Sequence, residues 1–572
     1  MKIWAAALLA AGLSGGDSGW LRLKSQHLEL LTDAGDHVGR RQLLRLEQLR
    51  QVLGPGRATP LPVRVLLFGE ERDFRFFRPG SAVRGFYQSG PERDFIVLPV
   101  GAGDTSRRAS HEYVHLVLNH TSTALPQWLE EGTAEFYSTL EPAGERLTVG
   151  LPVTSHISLL AKRKWMDANA LAAFGKGSPA YGDPRASDIF YAQSWAFTHM
   201  LNMHPAYRAR MPDFVLALDR GAAPVEAFQS AFAKDIGPAL DDLRKYLARG
   251  RLPVATVDWS PPVEQRIVAE PLTDLESGLA QVELLLLLDK RDEAARRIKA
   301  LEAGHPQSAE LQLALGLYLL TEKNYAAAAE KLRQAIHHGS ASASFEYAML
   351  LRDQNAPPEE VKRHLETAVA RNPNHAEAQF LKGLMAAREG RYEDALGPLS
   401  QAVRVLPRQS YFWHALALCQ HHLGNREQSR ISAMRALRSA TTPEQREMAE
   451  AALRLASGGA GSAGRGAGPP AVNTPAGWQM PQGDSQVEGV LEQIDCMGES
   501  ARFHIRSRGQ TVRLFVRKPG EVLLGNLSSL TFQFNCGRQT PRPVIVNYRS
   551  REDIVWKTTG DVTGIVFHDK NP

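Results

Sequence analysis

Apolar residues between Gly39 and Leu53 recur every three to four positions, which predicts a helix with one buried face. The run Val63–Phe68 reads as a strand, and Gly85 to Val100 reads as a hairpin. Helical periods dominate from there to residue 456 or so. The pattern changes once more near the C-terminus, where short Val, Ile, Phe and Thr runs such as 501–505 and 512–516 alternate with Gly and Pro-Gly turns. A small all-β, barrel-like domain is expected over 487–572.

Within the helical stretch a longer period appears. Gly383, Ala395, Leu399, Ala402 and Pro407 mark one unit. Steps of about 34 residues lead back to Val361, Leu365, Ala368 and Pro373, then to Gly316, Ala328, Leu332 and Ala335. Outer copies follow at Ala294, Ile298, Leu301 and Pro306, and at Trp413, Ala417, Ser429, Ala433 and Ala436. The phrase Gly390-Arg391-Tyr392-Glu393-Asp394-Ala395 and the small residues at helix contacts resemble the tetratricopeptide repeat. An all-α superhelix over 270–456 is therefore expected, because one helical pair cannot bury its own apolar face and must stack on neighbours. It would recruit a protein partner or substrate, or act as a spacer. Residues 457–486, rich in Gly, Ser and Pro, read as a flexible linker.

Composition adds limits. At 572 residues, with 43% hydrophobic and 23% charged residues, the chain has room for several folded domains and is neither disordered nor collagen-like. Lys+Arg 67 against Asp+Glu 62 leaves +5, too thin a surplus for a nucleic-acid binder. Met1-Lys2, apolar Ile3 to Leu13 and the small residues Ser14-Gly15-Gly16 have the order of a signal peptide over 1–16. Export to a periplasmic or extracellular space is expected, with no transmembrane segment after the signal. Of three cysteines, Cys496 and Cys536 are candidates for a disulfide, and Cys419 reads as a buried thiol on a helix.

The chemistry sits in residues 17–260, a mixed α and β unit. Thr105 or Ser106 is expected to cap a helix carrying His111-Glu112-Tyr113-Val114-His115, an H-E-x-x-H sequence. Histidines four apart share a helix face and can converge on one ion, while Glu112 can serve as general base toward a water. A second helix, entered at Pro126, carries Trp128-Leu129-Glu130-Glu131-Gly132-Thr133-Ala134. Together the two segments resemble the gluzincin metallopeptidases, with W-L-x-E-G-x-A similar to aminopeptidase N-like enzymes and the whole similar to the peptidase MA-like families. The resemblance implies an α+β zincin-like catalytic domain, Zn2+ held by His111, His115 and Glu131, and Glu112 as base. It also suggests Tyr191 as oxyanion donor; the other reading of Tyr191 is an aromatic packed under the site.

His120 lacks the metzincin spacing. Glu130 lies about 100° from Glu131 on a helix and is expected in solvent. Glu135, one turn beyond Glu131, is either an outer-shell carboxylate or a surface group. Strand Asp94–Pro99 is a candidate free edge for an extended peptide. The short spacer to Glu131 and the lack of a G-x-M-E-N sequence leave aminopeptidase specificity unsupported. The expectation is an exported zinc-dependent peptidase; the alternatives are a non-catalytic envelope scaffold built on the repeats and an amide hydrolase with a non-protein substrate.

Overall fold

The computed structural model describes residues 17–54, 59–81, 83–101, 104–122, 125–175, 178, 180, 182–258, 267–305, 308–354, 356–457, 485–497, 500–516, 523–525, 537–553 and 558–567. The signal-like segment 1–16, nearly all of the linker and Cys536 lie outside them, as does the side chain of Cys496. The chain divides into two compact units, Met1–Gly459 and Ala460–Pro572.

The first unit opens with β1 (Asp17–Lys24), β2 (Leu28–Thr32), α1 (Asp36–Leu53), β3 (Val63–Phe68), α2 (Glu71–Phe74), β4 (Phe86–Gln88) and β5 (Asp94–Pro99). Then come α3 (Thr105–Thr121), α4 (Gln127–Ser138), β6 (Glu141–Ala143), β7 (Arg146–Val149), α5 (Thr154–Lys162), α6 (Ala168–Ala173) and α7 (Pro184–Met203). The part closes with α8 (Pro205–Arg208), α9 (Met211–Asp219), α10 (Pro224–Phe232), α11 (Ile236–Ala248), β8 (Ala255–Asp258) and β9 (Val268–Thr273). The main sheet runs β4-β5-β3-β2-β1-β9, with β2, β3 and β5 parallel and the rest antiparallel. Strand β5 is buried along its whole length, as a run of Phe95-Ile96-Val97-Leu98 requires. It is therefore not the free edge its place in a hairpin suggested. β4 pairs with it at Phe86↔Val97 and covers that side, so β4 is the edge strand.

Helix α3 lies on this sheet through Ala109, Tyr113, Leu116 and Val117, which share a core with Val65, Leu67, Ile96 and Leu98. Those positions follow the i, i+4, i+7, i+8 spacing of one helix face, so His111 and His115 are turned away from the sheet. A second core, rich in aromatic residues, joins α4 to α7, α9, α10 and α11.

Paired helices follow: α12 (Asp274–Leu287) with α13 (Arg291–Gly304), α14 (Ala309–Thr321) with α15 (Tyr325–His337), and α16 (Ala341–Asp353) with α17 (Pro358–Arg371). α18 (Ala376–Arg388) with α19 (Tyr392–Val405), α20 (Ser410–His422) with α21 (Arg426–Ser439), and a closing helix α22 (Pro443–Ala456) complete the array. The periodic small and apolar residues are its core: Ala294, Ala328, Leu332, Leu365, Ala368, Ala395, Leu399, Ala402, Ala433 and Ala436 are all buried. A Cβ on Gly316 would stand 2.8 Å from Leu332 Cδ2, and one on Gly383 2.7 Å from Leu399 Cγ, so the glycines set how closely paired helices approach. Cys419 is a buried free thiol, and burial pushes it up to about 11.

The array packs on the sheet domain. Ala280, Leu284 and Leu285 of α12 share a core with Trp20, Phe68, Phe74 and Phe77. Glu92 Oε1 accepts hydrogen bonds from the Ser342 backbone N–H at 2.9 Å and hydroxyl at 2.7 Å. Asn374 Nδ2 donates to the Pro60 carbonyl at 2.7 Å, and Leu61 enters the core of the later repeats. Between the two parts lies a cleft of about 1180 Å³ lined in part by Arg22, Arg64, Arg93, Arg371, Glu283 and Glu310.

One half-buried carboxyl in the array makes stability depend on pH. Burial first, then the neighbouring Glu377, pushes Glu346 up to about 7. The unfolded chain ionises this group near pH 4.3, so above about that pH and below about 7 only the folded state keeps the proton, and stability falls as pH rises. Glu346→Gln is expected to remove this contribution, which amounts to at most about 1.4 kcal/mol per pH unit. Urea unfolding of both proteins across that window measures it, and parallel pH profiles would sink the assignment.

The second unit consists of β10 (Ser485–Met497), β11 (Ser500–Ser507), β12 (Gln510–Val516), β13 (Leu523–Gly525), β14 (Gly537–Asp553) and β15 (Thr558–Phe567). Strands run β12-β11-β10-β14-β15, and a parallel pairing of β12 with β15 at Leu514↔Gly560 closes the ring. This is a small β-barrel-like domain, with the short β13 added in parallel beside β15. Leu491, Ile494, Phe503, Ile505, Leu514, Val544, Val546 and Ile565 fill it.

Candidate metal centre

Asp104, rather than Thr105 or Ser106, caps α3: its carboxylate accepts from Arg107 N at 3.0 Å. An Asp one residue earlier is an equally good cap, and it lets Thr105 take the first helical position. Two turns on, His111 Nε2 and His115 Nε2 stand 3.0 Å apart. Glu131 Oε2, from α4, is 3.5 Å from the first and 3.4 Å from the second. A tetrahedral ion with bonds of about 2.0–2.2 Å has donors about 3.3–3.6 Å apart, so both distances from Glu131 fit an edge of such a tetrahedron, while the two imidazole nitrogens, 3.0 Å apart, must open by a few tenths of an ångström to share one ion. Glu131 Oε2 is buried and makes no hydrogen bond to any described residue. Such an atom calls for a partner. The same three residues form the one His/Cys/Asp/Glu group among the described residues with metal-ligand spacing.

An outer ring orients the imidazoles. His111 Nδ1 lies 3.3 Å from Glu135 Oε1, and His115 Nδ1 lies 3.6 Å from Glu130 Oε1. A carboxylate on the Nδ1 side favours the proton there and aims the Nε2 lone pair inward, as metal-bound histidines require. Glu135 is itself held by Arg107 Nη2 at 2.5 Å and by His156 Nε2 at 3.2 Å. Burial opposes charge on His111, yet Glu131 and Glu135 outweigh it and raise the ring to about 10. His115 is likewise raised to about 9 against burial by Glu130 and Glu131. Burial alone would raise Glu131, but the two histidines lower it to about 2, and Glu135 is held still lower by His111 and His156. The donor set of two imidazole nitrogens and one carboxylate oxygen suits zinc.

The structure brings His111, His115 and Glu131 together and sets Glu112 beside them on α3, partly exposed, its charge acting on His111. Tyr191 stands apart in kind. It lies on α7, the helix packed against α4, with its side chain 36% exposed and its ring edge-on to Phe190. Glu130 is not in solvent as its angular offset suggested. Glu130 and Glu131 both reach the histidines of α3, Glu130 Oε1 at His115 Nδ1 and Glu131 Oε2 at the two Nε2 atoms, and Arg408 from the repeat array pairs with Glu130 at 2.9 Å. His120 is no ligand: it is fully buried between Asp94 Oδ2 at 2.5 Å and the Val405 carbonyl at 2.7 Å. Glu135 is not a surface group: its Oε1 lies 3.3 Å from His111 Nδ1. The sequence reading missed Arg107, His156 and Arg408. Arg107, one turn before His111, had a helical signal; the other two come from distant segments with none.

α4 gains its place through Gly132. A Cβ there would stand 2.3 Å from the Ser194 carbonyl oxygen of α7, a backbone atom that cannot rotate away. Gly132→Ala is expected to destabilise the first unit by about 1–3 kcal/mol through overpacking, read by denaturant unfolding. A stability equal to wild type would show that the two helices separate freely.

Comparison with known proteins bears on the helical array. The tetratricopeptide repeat family model matches residues 279–344 and 359–409. No curated protein matches the chain. Among solved structures, the MamA protein is 18% identical, covering 29% of this chain and 91% of its own with a TM-score of 0.23. YrrB, described as a TPR protein with an unusual peptide-binding site, is 18% identical, covering 30% and 90% with a TM-score of 0.24. Pseudomonas aeruginosa pilF is 16% identical, covering 31% and 88% with a TM-score of 0.27. The periodic core residues, the paired helices and the family match together make the array one of tetratricopeptide repeats, a module that binds proteins.

Proposed function

We propose that residues 17–260 form a zinc-dependent peptidase domain of the gluzincin type. The observation that carries this reading is the convergence of His111 Nε2, His115 Nε2 and Glu131 Oε2 within 3.0 to 3.5 Å of one another, with Glu112 on the same helix. When bound there, zinc would supply Lewis acidity that polarises a carbonyl and makes a water nucleophilic at neutral pH. Glu112 takes the proton of the attacking water and hands it to the leaving amine. Glu135 and Glu130 keep the two imidazoles aimed, so no reorganisation is needed at the moment of reaction. Tyr191 is the candidate donor to the oxyanion, and β4 the edge that can take an extended peptide.

The repeats add protein recognition. Part of the array surface is already engaged by Glu92, Pro60 and Leu61 of the same chain, so recruitment works beside the chain's own domain. Export rests on the sequence of residues 1–16 and is part of the proposal.

Elemental analysis of the purified full chain tests the metal, with an unfolded protein as substrate for the activity. About one zinc per chain with cleavage is expected. A chain without zinc would overturn the peptidase reading, while zinc without cleavage would favour a scaffold built on the repeats.

A further inference from the structure

The repeat array reaches the surroundings of the metal centre where α19 gives way to α20. α19 ends at Val405, and the turn from 406 to 409 leads into α20. This turn grips the end of the metal helix twice. His120, in the last turn of α3, donates from Nδ1 to the Val405 carbonyl at 2.7 Å. Arg408 Nε donates to the carbonyl of Ser122, the residue that ends α3, at 3.3 Å. The other arm of Arg408 goes further in. Its Nη1 is 2.9 Å from Glu130 Oε1, and that same oxygen is the one 3.6 Å from His115 Nδ1.

We infer that Arg408 is a positioning residue for His115, acting through Glu130, so that the repeat array completes the outer shell of the metal site. The inference rests on the zinc reading above. Its physical basis is charge. Glu130 and Glu131 are adjacent carboxylates, both turned toward α3 and only 20% and 14% exposed. Two like charges so placed repel, and Glu130 on its own would be drawn toward water. A guanidinium fixed at both ends, on the Ser122 carbonyl and on Glu130, holds the carboxylate against His115 and offsets the repulsion. His111 needs no such help, since Glu135 receives Arg107 and His156 from within the catalytic part.

A docking contact without a role at the metal would look different, and the molecule contains one. Arg435 of α21 pairs with Asp219 of α9 at 2.6 Å, joining the array to a helix that carries none of the three donors or their carboxylate partners. The test is zinc affinity of the full chain, by competition with a chromogenic chelator at fixed pH and salt, in wild type, Arg408→Gln, Arg408→Lys, Glu130→Gln, Arg435→Gln and the Arg408→Gln/Glu130→Gln double variant. Gln at 408 keeps a stem and a donor for Ser122, which protects the fold, and an unfolding curve for each variant checks it. Arg408→Gln and Glu130→Gln are each expected to weaken zinc binding about 10- to 100-fold. The double variant should be no weaker than Glu130→Gln alone, Arg408→Lys should recover part of the loss, and Arg435→Gln should bind as wild type does. Affinity unchanged in Arg408→Gln, losses that multiply in the double variant, or an equal loss in Arg435→Gln would each overturn the role. Wild type that binds no zinc would instead remove the metal centre itself, and this role with it.

Discussion

Glu112→Gln is expected to keep about one zinc per chain while hydrolysis of an unfolded protein falls by about 10²–10⁴-fold, the usual contribution of a positioned general base. The substitution changes one atom at the end of the side chain and leaves the helix face of His111 and His115 untouched. An amide cannot take a proton from water, so the loss falls on the chemical step and not on the metal. Glu131→Ala makes the complementary case. It removes the ligand whose oxygen lies 3.5 and 3.4 Å from the two Nε2 atoms, leaving only the histidines. Zinc affinity should then fall by more than the roughly 100-fold expected of an outer-shell change. Elemental analysis and cleavage assays on the same preparations check both. Full activity in Glu112→Gln would end its assignment as base, and retained zinc in Glu131→Ala would end the ligand set.

Trp128→Ala should be the most damaging single core change near the site. The indole is 1% exposed and meets Phe197 at 4.8 Å and Phe214 at 6.3 Å between ring centroids, fastening α4 to α7 and α9. Emptying such a site costs about 3–5 kcal/mol, because the surrounding aromatics can close only part of the cavity. Trp128 lies one turn before Gly132 and three residues before Glu131, so the loss should appear in zinc retention as well as in stability. Denaturant unfolding of the first unit, followed by tryptophan-independent far-UV circular dichroism, measures it. A change under about 1 kcal/mol would mean that α4 is seated by something other than this aromatic core.

What was legible in the sequence had a short period. The H-E-x-x-H spacing puts His111 and His115 on one face because a helix turns about 100° per residue, and nothing outside α3 is needed to know it. The helix that carries Glu131 was legible from Pro126 at its entry, while the choice of Glu131 over its neighbours came from the resemblance of Trp128–Ala134 to the gluzincin sequence. The repeats were legible because their small residues recur where stacked helices touch, and those positions are the buried ones.

Other features depended on partners far along the chain. Glu130 points inward because Arg408 waits there, 278 residues away, and no local pattern carries that fact. Asp94–Pro99 is an interior strand because β3 and β4 pair on both sides of it, which its own residues leave open. His120 bridges Asp94 and Val405 for the same reason. Helix periods, the convergence of two histidines and the repeat array were thus determined by the sequence itself, since each follows from backbone geometry within a few residues. Which carboxylate orients His115, which strand is the edge and how the array meets the metal helix were decided only by the tertiary structure, because each depends on surfaces that meet after the helices and strands have formed.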